Sequence, residues 1–252
     1  MPEHECDLFL FTSHSPYFVD RTLPRFAQEC WLNPHGWGIG FYTDGKARVV
    51  RSEERAAPRG VPSREFVTAA NSIASPVILG HVRWASIGSV RPENNHPFCL
   101  NFLGYDWLLI HNGTSGGRIP VRADDRLLGE ATNDSARVFE FIRRRMIDYC
   151  GSSPMHSLTE ACSRAYSALL REDPLGTYNI ILSNGHLTFA FLHHRQFYVL
   201  NRLKVTGDVA VISTERLTAE PWVQILPPAH RPAKMLVFSG PTLVLNRSVG
   251  PR

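Results

Sequence analysis

Short apolar runs separated by turn dipeptides dominate the pattern of hydrophobic and polar positions along this chain. Two runs flank Asp44-Gly45 in GWGIGFYTDGKARVV, and two flank Asn184-Gly185 in YNIILSNGHLTFAFL. Such dipeptides adopt the positive φ angles of tight hairpin turns. Further strands are predicted directly after Cys6 and at residues 77–84, 107–111, 196–200, 209–214 and 235–238. The pattern therefore predicts many strands, mostly joined as antiparallel hairpins.

Helical spacing is confined to a few segments. The first, capped by Asn133 and starting at Asp134, has the apolar positions Val138, Phe141, Ile142, Met146 and Tyr149. The second ends before Asp173-Pro174 and has the apolar positions Leu158, Cys162, Ala165, Tyr166 and Leu169. Two weaker helices are predicted at residues 63–74 and 24–31, where Pro24 suits a first helical turn.

The mixture of hairpins and amphipathic helices predicts an α+β fold. An antiparallel sheet needs a cover for its apolar face, so two packed sheets with helices outside are expected, as an αββα sandwich. With 252 residues, 43% of them apolar and none in a low-complexity linker, the chain is expected to form one domain.

Charge and composition exclude several classes of function. The net charge is only +4, and its one dense cluster, residues 143–145, is predicted to be a solvated helix face rather than a nucleic-acid patch. No segment approaches the roughly 20 apolar residues of a membrane span, and the acidic start MPEHECD does not resemble a signal peptide. A cytoplasmic protein that binds neither nucleic acid nor membrane is expected.

The cysteines suggest neither a disulfide framework nor a metal site. There are five of them, widely scattered and without a CxxC pair. Cys6 is the one that raises a chemical question, because it precedes an apolar strand near the amino terminus.

Two polar clusters stand at the ends of apolar runs. In GHVRWASIG the planar fork of Arg83 is suited to holding a carboxylate, although a surface ion pair is the simpler interpretation. In WLLIHNG the amide of Asn112 and the backbone N–H of Gly113 supply two adjacent donors for a developing oxyanion, although Asn-Gly can also be a plain turn.

A third cluster, ATNDSARVF, places Asp134 at the start of a helix. It can be part of a helix cap, or an anion aimed at a substrate ammonium. Together with Cys6, these groups supply a thiol, a carboxylate clamp, an ammonium partner and an oxyanion donor pair. Those are the parts needed to hold the head of an amino acid and attack a carbonyl in its side chain, as in glutamine or another γ-glutamyl amide.

The order of the motifs resembles the class II glutamine amidotransferases, which are N-terminal-nucleophile (Ntn) enzymes, and especially their small stand-alone members. The resemblance runs from Cys6 to about Trp222 and is carried by HGWGIGFY, GHVRWASIG, NNHPF, IHNG, NDS, YNIILSNG and VISTERLTAEPW. Each motif alone would be weak, whereas HVRWAS, NNHPF and HNG in order are specific.

The resemblance implies a role for each matching residue. Cys6 is the implied nucleophile, and Asn112 with Gly113 the oxyanion hole. Arg83, supported by Trp84 and Ser86, is the implied clamp for the α-carboxylate, and Asp134 is the implied partner of the α-amino group. Gly36, Trp37 and Gly38 are expected in a loop against the nucleophile. His96 and Pro97 are expected to organise the pocket wall, and His81 and His111 to serve packing or orientation. No cofactor or metal is implied.

The implied mechanism needs the free α-amino group of Cys6 as general base, yet residues 1–5 precede it. They are therefore expected to be a leader or propeptide, with the catalytic domain at residues 6–252. Two alternatives stay open: misassignment of the start site, or a retained leader, which would leave a glutamine-binding or scaffold subunit without catalysis. A second departure is NDSA where many members of the family read TDSE, but the aspartate is kept.

Two activities fit the same site. One is release of ammonia from glutamine through a γ-glutamyl thioester, with a separate synthase subunit as the ammonia acceptor. The other is hydrolysis of a γ-glutamyl conjugate without a partner. Both recognise the same glutamyl head, so the sequence leaves this choice open.

Overall fold

The computed structural model describes residues 5–127, 133–152, 157–201, 208–228 and 233–250. Within these ranges the chain forms thirteen strands and four α-helices. The strands are β1 (Asp7–Phe18), β2 (Trp37–Thr43), β3 (Lys46–Ser52), β4 (Ala74–Val82), β5 (Phe98–Phe102), β6 (Tyr105–Asn112), β7 (Asn179–Ser183), β8 (Leu187–Leu192), β9 (Phe197–Asn201), β10 (Val209–Ser213), β11 (Val223–Ile225), β12 (Ala233–Ser239) and β13 (Thr242–Val249). The helices are α1 (Thr22–Glu29), α2 (Arg64–Ser72), α3 (Asp134–Gly151) and α4 (Leu158–Glu172).

The strands form two antiparallel sheets. Over the described residues the first sheet has the spatial order β11-β9-β10-β1-β4-β2-β3, and the second has the order β13-β12-β8-β7-β6-β5. The central strand β1 pairs with β10 on one side and with β4 on the other. The residue just before β1 is therefore held in the middle of the first sheet.

Three apolar clusters show how the layers stack. One cluster packs the first sheet against α1 and α2, a second packs the second sheet against α3 and α4, and a third lies between the two sheets. In β1 the side chains alternate, so that Phe9 and Phe11 face the helices while Leu8 and Leu10 face the other sheet. The layer order is therefore αββα, and the predicted α+β sandwich is confirmed.

Local sequence signals located most elements. The hairpin turns at Asp44-Gly45 and Asn184-Gly185 join β2 to β3 and β7 to β8, as predicted. The side chain of Asn133 caps α3 by accepting from the backbone N–H of Ala136 at 3.0 Å. Helices α2, α3 and α4 also form where their spacing predicted them.

Three expectations need correction. Helix α1 begins at Thr22 and ends at Glu29, two residues earlier at each end than predicted, although Pro24 does lie in its first turn. Strand β4 is predicted to run to residue 84 but ends at Val82, so the two residues that follow it belong to a loop. The third concerns the cluster at 143–145, which is not a uniformly solvated face, because Arg143 is buried and pairs with Glu140 and Asp124.

None of the four helices described is long and apolar enough to cross a membrane.

Candidate active site

Cys6 lies immediately before β1, and its position is set by the strands on both sides. Asp7 pairs with Val82 of β4, and the backbone N–H of Thr214, just after β10, donates to the carbonyl O of Leu8 at 3.0 Å. The loop that follows β4 and the turns around the central strand therefore converge on Cys6.

The thiol of Cys6 is enclosed by the backbone of Trp84. The Trp84 N–H donates to Cys6 Sγ at 3.3 Å, and the thiol donates to the Trp84 carbonyl O at 3.3 Å. Burial raises the pKa of the Cys6 thiol to about 12, and the nearby carboxylates of Asp7 and Glu5 act in the same direction. The thiol is therefore protonated at neutral pH and needs a base to become a nucleophile.

Asn112 and Gly113 lie beside the backbone of Cys6. The fully buried Asn112 ends β6, and its Nδ2 donates to the carbonyl O of Cys6. A primary amide has two N–H bonds, and the Asn112 side chain also hydrogen-bonds to the side chain of Glu5. Gly113 has a φ of 137°, and a Cβ there would lie 1.9 Å from the carbonyl O of Thr177. Only glycine fits this position, which directly follows the Asn112 that contacts Cys6.

Arg83 is not an ordinary surface arginine. It is 3% exposed, and its guanidinium donates to the carbonyl oxygens of Ile87 and Ser89, each at 3.0 Å. Burial lowers its pKa, which Cys6 and Asp134 oppose in part because they lie nearby. The interpretation as a solvent-exposed ion pair is wrong, and the guanidinium is held between the thiol and the start of α3.

The carboxylate of Asp134 faces the loop that follows β6. Its Oδ2 accepts from the backbone N–H of Ser115 at 2.7 Å, while the side chain of Asn133 caps the helix. Ser115 Oγ donates in turn to Asp173 Oδ2 at 2.6 Å. The capping interpretation thus applies to Asn133, and Asp134 is placed on the side of α3 that faces the site.

The expectation of a loop at residues 36–38 is wrong in part. Gly36 lies in the loop, with a φ of 103°, but Trp37 and Gly38 belong to β2. The Trp37 ring is fully buried and packs edge to face on Phe66, on the helix side of the first sheet. In the loop that follows β4, Trp84 is half-buried and Ser86 is exposed.

The buried histidines make contacts that fit a packing role. His96 Nδ1 lies 3.1 Å from His81 Nε2, and burial lowers the pKa of His81 to about 3. His111 Nδ1 lies 2.8 Å from the hydroxyl of Ser135. Neutral rings held in this way are suited to shaping the site rather than to carrying a charge.

One site residue is not among the sequence candidates. Arg195 Nη1 donates to the carbonyl O of Cys6 at 2.9 Å, so this oxygen accepts from both Arg195 and Asn112. Arg195 follows two histidines in the turn between β8 and β9. A polar HHR segment between two strands is an ordinary hairpin sequence, so no local signal marks it.

Glu5 lies in a cleft of about 610 Å³ beside Cys6. The Asn33 side-chain amide donates to the Glu5 carbonyl O at 2.9 Å, and His194 Nε2 lies 3.3 Å from Glu5 Oε1. Because Glu5 directly precedes Cys6, the α-nitrogen of Cys6 is a peptide nitrogen in this chain. Residues 1–4, the rest of the expected leader, lie outside the described residues.

A family model described as class II glutamine amidotransferases matches residues 6–204. A Haemophilus influenzae protein whose name assigns it to the glutamine amidotransferases is 28% identical over 78% of this chain and 66% of its own length. The γ-glutamyl-hercynylcysteine sulfoxide hydrolase of Mycolicibacterium smegmatis is 29% identical over 84% of this chain and 82% of its own length.

Solved structures share the fold. A crystal structure from Pseudomonas aeruginosa, described as a predicted glutamine amidotransferase, superposes with a TM-score of 0.66 at 20% identity and covers 95% of this chain and 100% of its own. The chain spans 66% of the length of the Haemophilus protein and 54% of a further curated relative. The activities of those longer proteins as a whole are therefore not assigned to this chain.

Proposed function

This chain belongs to the class II glutamine amidotransferases, and we propose that it hydrolyses the γ-amide of glutamine or of a γ-glutamyl compound with Cys6 as the nucleophile. The observation that carries the proposal is the contact of the Asn112 amide with the backbone of Cys6. This contact supports the proposal because it brings an amide N–H group close to the residue at which the family match begins.

In the proposed reaction the free α-amino group of Cys6 accepts the thiol proton. An unperturbed α-amino group has a pKa of about 8, which suits a base near neutrality. The sulfur attacks the amide carbonyl carbon, and the second N–H of Asn112 and the N–H of Gly113 stabilise the oxyanion. The carbon–nitrogen bond then breaks, and the leaving amine takes the proton back. Water opens the γ-glutamyl thioester and releases glutamate.

The head of the substrate would lie between Arg83 and Asp134. A substrate α-carboxylate would replace the loop carbonyls of Ile87 and Ser89 as the acceptor for the buried guanidinium, since charged hydrogen bonds are about twice as strong as neutral ones. The α-ammonium would pair with the Asp134 carboxylate. Trp84 supports the thiol through its backbone, and Ser86 lies in the same loop. Gly36 and Gly38 remain proposed backbone neighbours of the substrate.

Catalysis requires that the bond between Glu5 and Cys6 be cleaved. With Glu5 in place the Cys6 nitrogen is an amide, and the thiol, whose pKa is raised by burial, has no amine to activate it. We therefore propose that residues 1–5 are removed and that the mature domain begins at Cys6. The intact mass of untagged protein from its own host tests this: a mass beginning at Cys6 supports the enzyme, and a mass retaining Glu5 supports a non-catalytic glutamine-binding or scaffold subunit.

A second candidate, hydrolysis of a γ-glutamyl conjugate, is favoured by the similarity to the Mycolicibacterium hydrolase. A kinetic comparison of glutamine with γ-glutamyl peptides separates the two. A strong preference for a large leaving group would reject the supply of ammonia to a separate synthase subunit. A preference for glutamine would support that supply, and the acceptor would then be sought as a second protein.

A further inference from the structure

The turn between β8 and β9 is built by a single buried side chain. Asn179 Oδ1 accepts from the backbone N–H groups of His193 at 2.8 Å and His194 at 3.1 Å, and Asn179 Nδ2 donates to the carbonyl O of Arg195 at 2.7 Å. Asn179 lies directly opposite Asn112 in the register of β6 and β7. The paired residues Asn112 and Asn179 therefore serve two purposes: Asn112 is the proposed oxyanion donor, and Asn179 fixes the turn that contains Arg195.

The guanidinium of Arg195 joins the nucleophile to two carboxylates. Its Nη1 donates to the carbonyl O of Cys6 at 2.9 Å, and its Nη2 lies 2.8 Å from Asp7 Oδ1 and 2.7 Å from Glu215 Oε1. Asp7 is itself fixed by the hydroxyl of Thr214, which donates to Oδ1 at 2.8 Å. The guanidinium thus has three acceptors, two on the adjacent residues Cys6 and Asp7 and one on the distant Glu215.

We infer that Arg195 is a positioning residue for Cys6, a role that rests on the proposed function. Its guanidinium fixes the carbonyl group of the nucleophilic residue, and Glu215 holds the guanidinium in place. With that carbonyl shared between Arg195 and Asn112, the peptide plane of Cys6 cannot turn independently of the oxyanion donor. The α-amine, the thiol and the oxyanion site then keep a constant relative geometry.

The charge of Arg195 adds a second effect. A cation near an amine disfavours the protonated ammonium form and an anion favours it, so we expect Arg195 to lower the pKa of the mature α-amine and Glu215 to raise it. The ionisable groups that interact with Cys6, or with the groups beside it, are Asp7 on its own strand, Glu29 and Cys30 at the end of α1, Arg83 after β4, His111 in β6, Asp134 at the start of α3, His194 and Arg195 before β9, and Glu215 after β10. Removing the charge of Arg195 and removing the charge of Glu215 should therefore shift the pKa of the α-amine in opposite directions.

The test compares four variants of the mature chain that begins at Cys6: Arg195→Met, Arg195→Lys, Glu215→Gln and a control, Arg164→Met, whose arginine is exposed and pairs with Glu160. We expect Arg195→Met to lower kcat roughly tenfold to a hundredfold with KM nearly unchanged, because Arg195 does not face the substrate head. We expect Arg195→Lys to restore part of kcat, and Arg164→Met to leave it unchanged.

The pH dependence of kcat/KM distinguishes a positioning role that involves the charge of Arg195 from a purely structural role. The acidic limb of kcat/KM should shift to higher pH in Arg195→Met and to lower pH in Glu215→Gln. Shifts of the same sign in both variants, or no shift and no loss of kcat in Arg195→Met, would overturn the inference. Should Arg195→Met not fold, Arg195→Lys and Glu215→Gln carry the same comparison.

A readout that needs no turnover distinguishes this inference from the proposed function. Alkylation of Cys6 by iodoacetamide, followed by intact mass across pH, reports the protonation of the thiol and amine directly. The alkylation midpoint should rise in Arg195→Met and fall in Glu215→Gln, even if the wild-type chain hydrolyses no γ-glutamyl compound. In that case the proposed function fails while the positioning role stands, and identical midpoints would reject the role itself.

Discussion

The backbone of Trp84 holds the thiol of Cys6 from two sides, since its N–H donates to Sγ and its carbonyl O accepts from the thiol, both at 3.3 Å. Both contacts come from the peptide groups that flank one residue, so the thiol direction is set by the loop after β4. A thiolate would lose the second hydrogen bond and would face the carbonyl oxygen instead. The site therefore favours the protonated thiol.

The reactivity of Cys6 should depend on what precedes it. While Glu5 is attached, we expect alkylation of Cys6 by iodoacetamide to be slow at neutral pH and to accelerate only above about pH 9, because the thiolate is the reacting form and burial raises the pKa of the thiol to about 12. The chain that begins at Cys6 should react faster near neutrality. Intact mass spectrometry, with Cys6→Ser to identify the adduct, measures both rates, and rapid neutral labelling of the longer chain would contradict the assignment.

Removal of the Asn112 side chain should affect turnover far more than binding. We expect Asn112→Ala to lower kcat of the mature enzyme by roughly 10²–10³ with little change in the affinity for a γ-glutamyl ligand, as for other oxyanion donors. Asn101→Ala is a matched control, because Asn101 is exposed and its side-chain amide donates to its hairpin neighbour Asp106. Unchanged turnover in Asn112→Ala would reject the oxyanion role.

Asp134 should be tested with a substrate that lacks the group it is proposed to bind. We expect Asp134→Asn to raise KM for glutamine roughly tenfold to a hundredfold, the range for losing a charged hydrogen bond. With glutaramate, which has no α-amino group, the wild type and Asp134→Asn should have similar KM values. An equal loss with both substrates would mean that Asp134 stabilises the loop at Ser115, through the 2.7 Å hydrogen bond, rather than binding the substrate ammonium.

Gly113 should not tolerate a side chain. Its φ of 137° and the carbonyl O of Thr177, 1.9 Å from a built Cβ, act together against Gly113→Ala. Gly45→Ala is the control, since Gly45 has a φ of 72° with nothing within 4 Å, and we expect it to cost about 1–2 kcal/mol through backbone strain alone. Urea unfolding should show a clearly larger loss for Gly113→Ala, and equal losses would mean that the contact with Thr177 relaxes freely.

The parts of this molecule that could be predicted are those decided by local sequence. Turn dipeptides such as Asn184-Gly185 and the cap at Asn133 act over a few residues, so these hairpin turns and the start of α3 were located correctly. The candidates Cys6, Asn112 and Asp134 were identified because motifs mark them, and the fold brings Cys6 and Asn112 into contact. Their chemical roles remain predictions.

The parts that could not be predicted depend on contacts between distant segments. Arg195 reaches the carbonyl of Cys6 across 189 positions of sequence, and nothing near Arg195 indicates that contact. The resemblance implied a loop at Trp37, yet pairing with β3 and β4 makes that segment a strand. Burial of Arg143 likewise depends on where the loop with Asp124 lies, which the helical pattern does not reveal.

The buried Arg143 allows a test of stability that is independent of catalysis. Glu140, whose side chain is 1% exposed, accepts from Arg143 Nε at 2.6 Å and from the backbone N–H groups of Arg126 and Leu127. We expect Arg143→Met to destabilise the fold by about 3–5 kcal/mol, because it leaves a buried carboxylate without its cation.

Adding Glu140→Gln should recover much of this loss, since the amide oxygen still accepts from the backbone while the unpaired charge is gone. Urea unfolding of the two single variants and the double variant measures the coupling. For comparison, Arg164→Met, which breaks an exposed pair, should cost no more than about 1 kcal/mol. A double variant as unstable as the sum of its parts would mean that Arg143 contributes through packing rather than through the charge of Glu140.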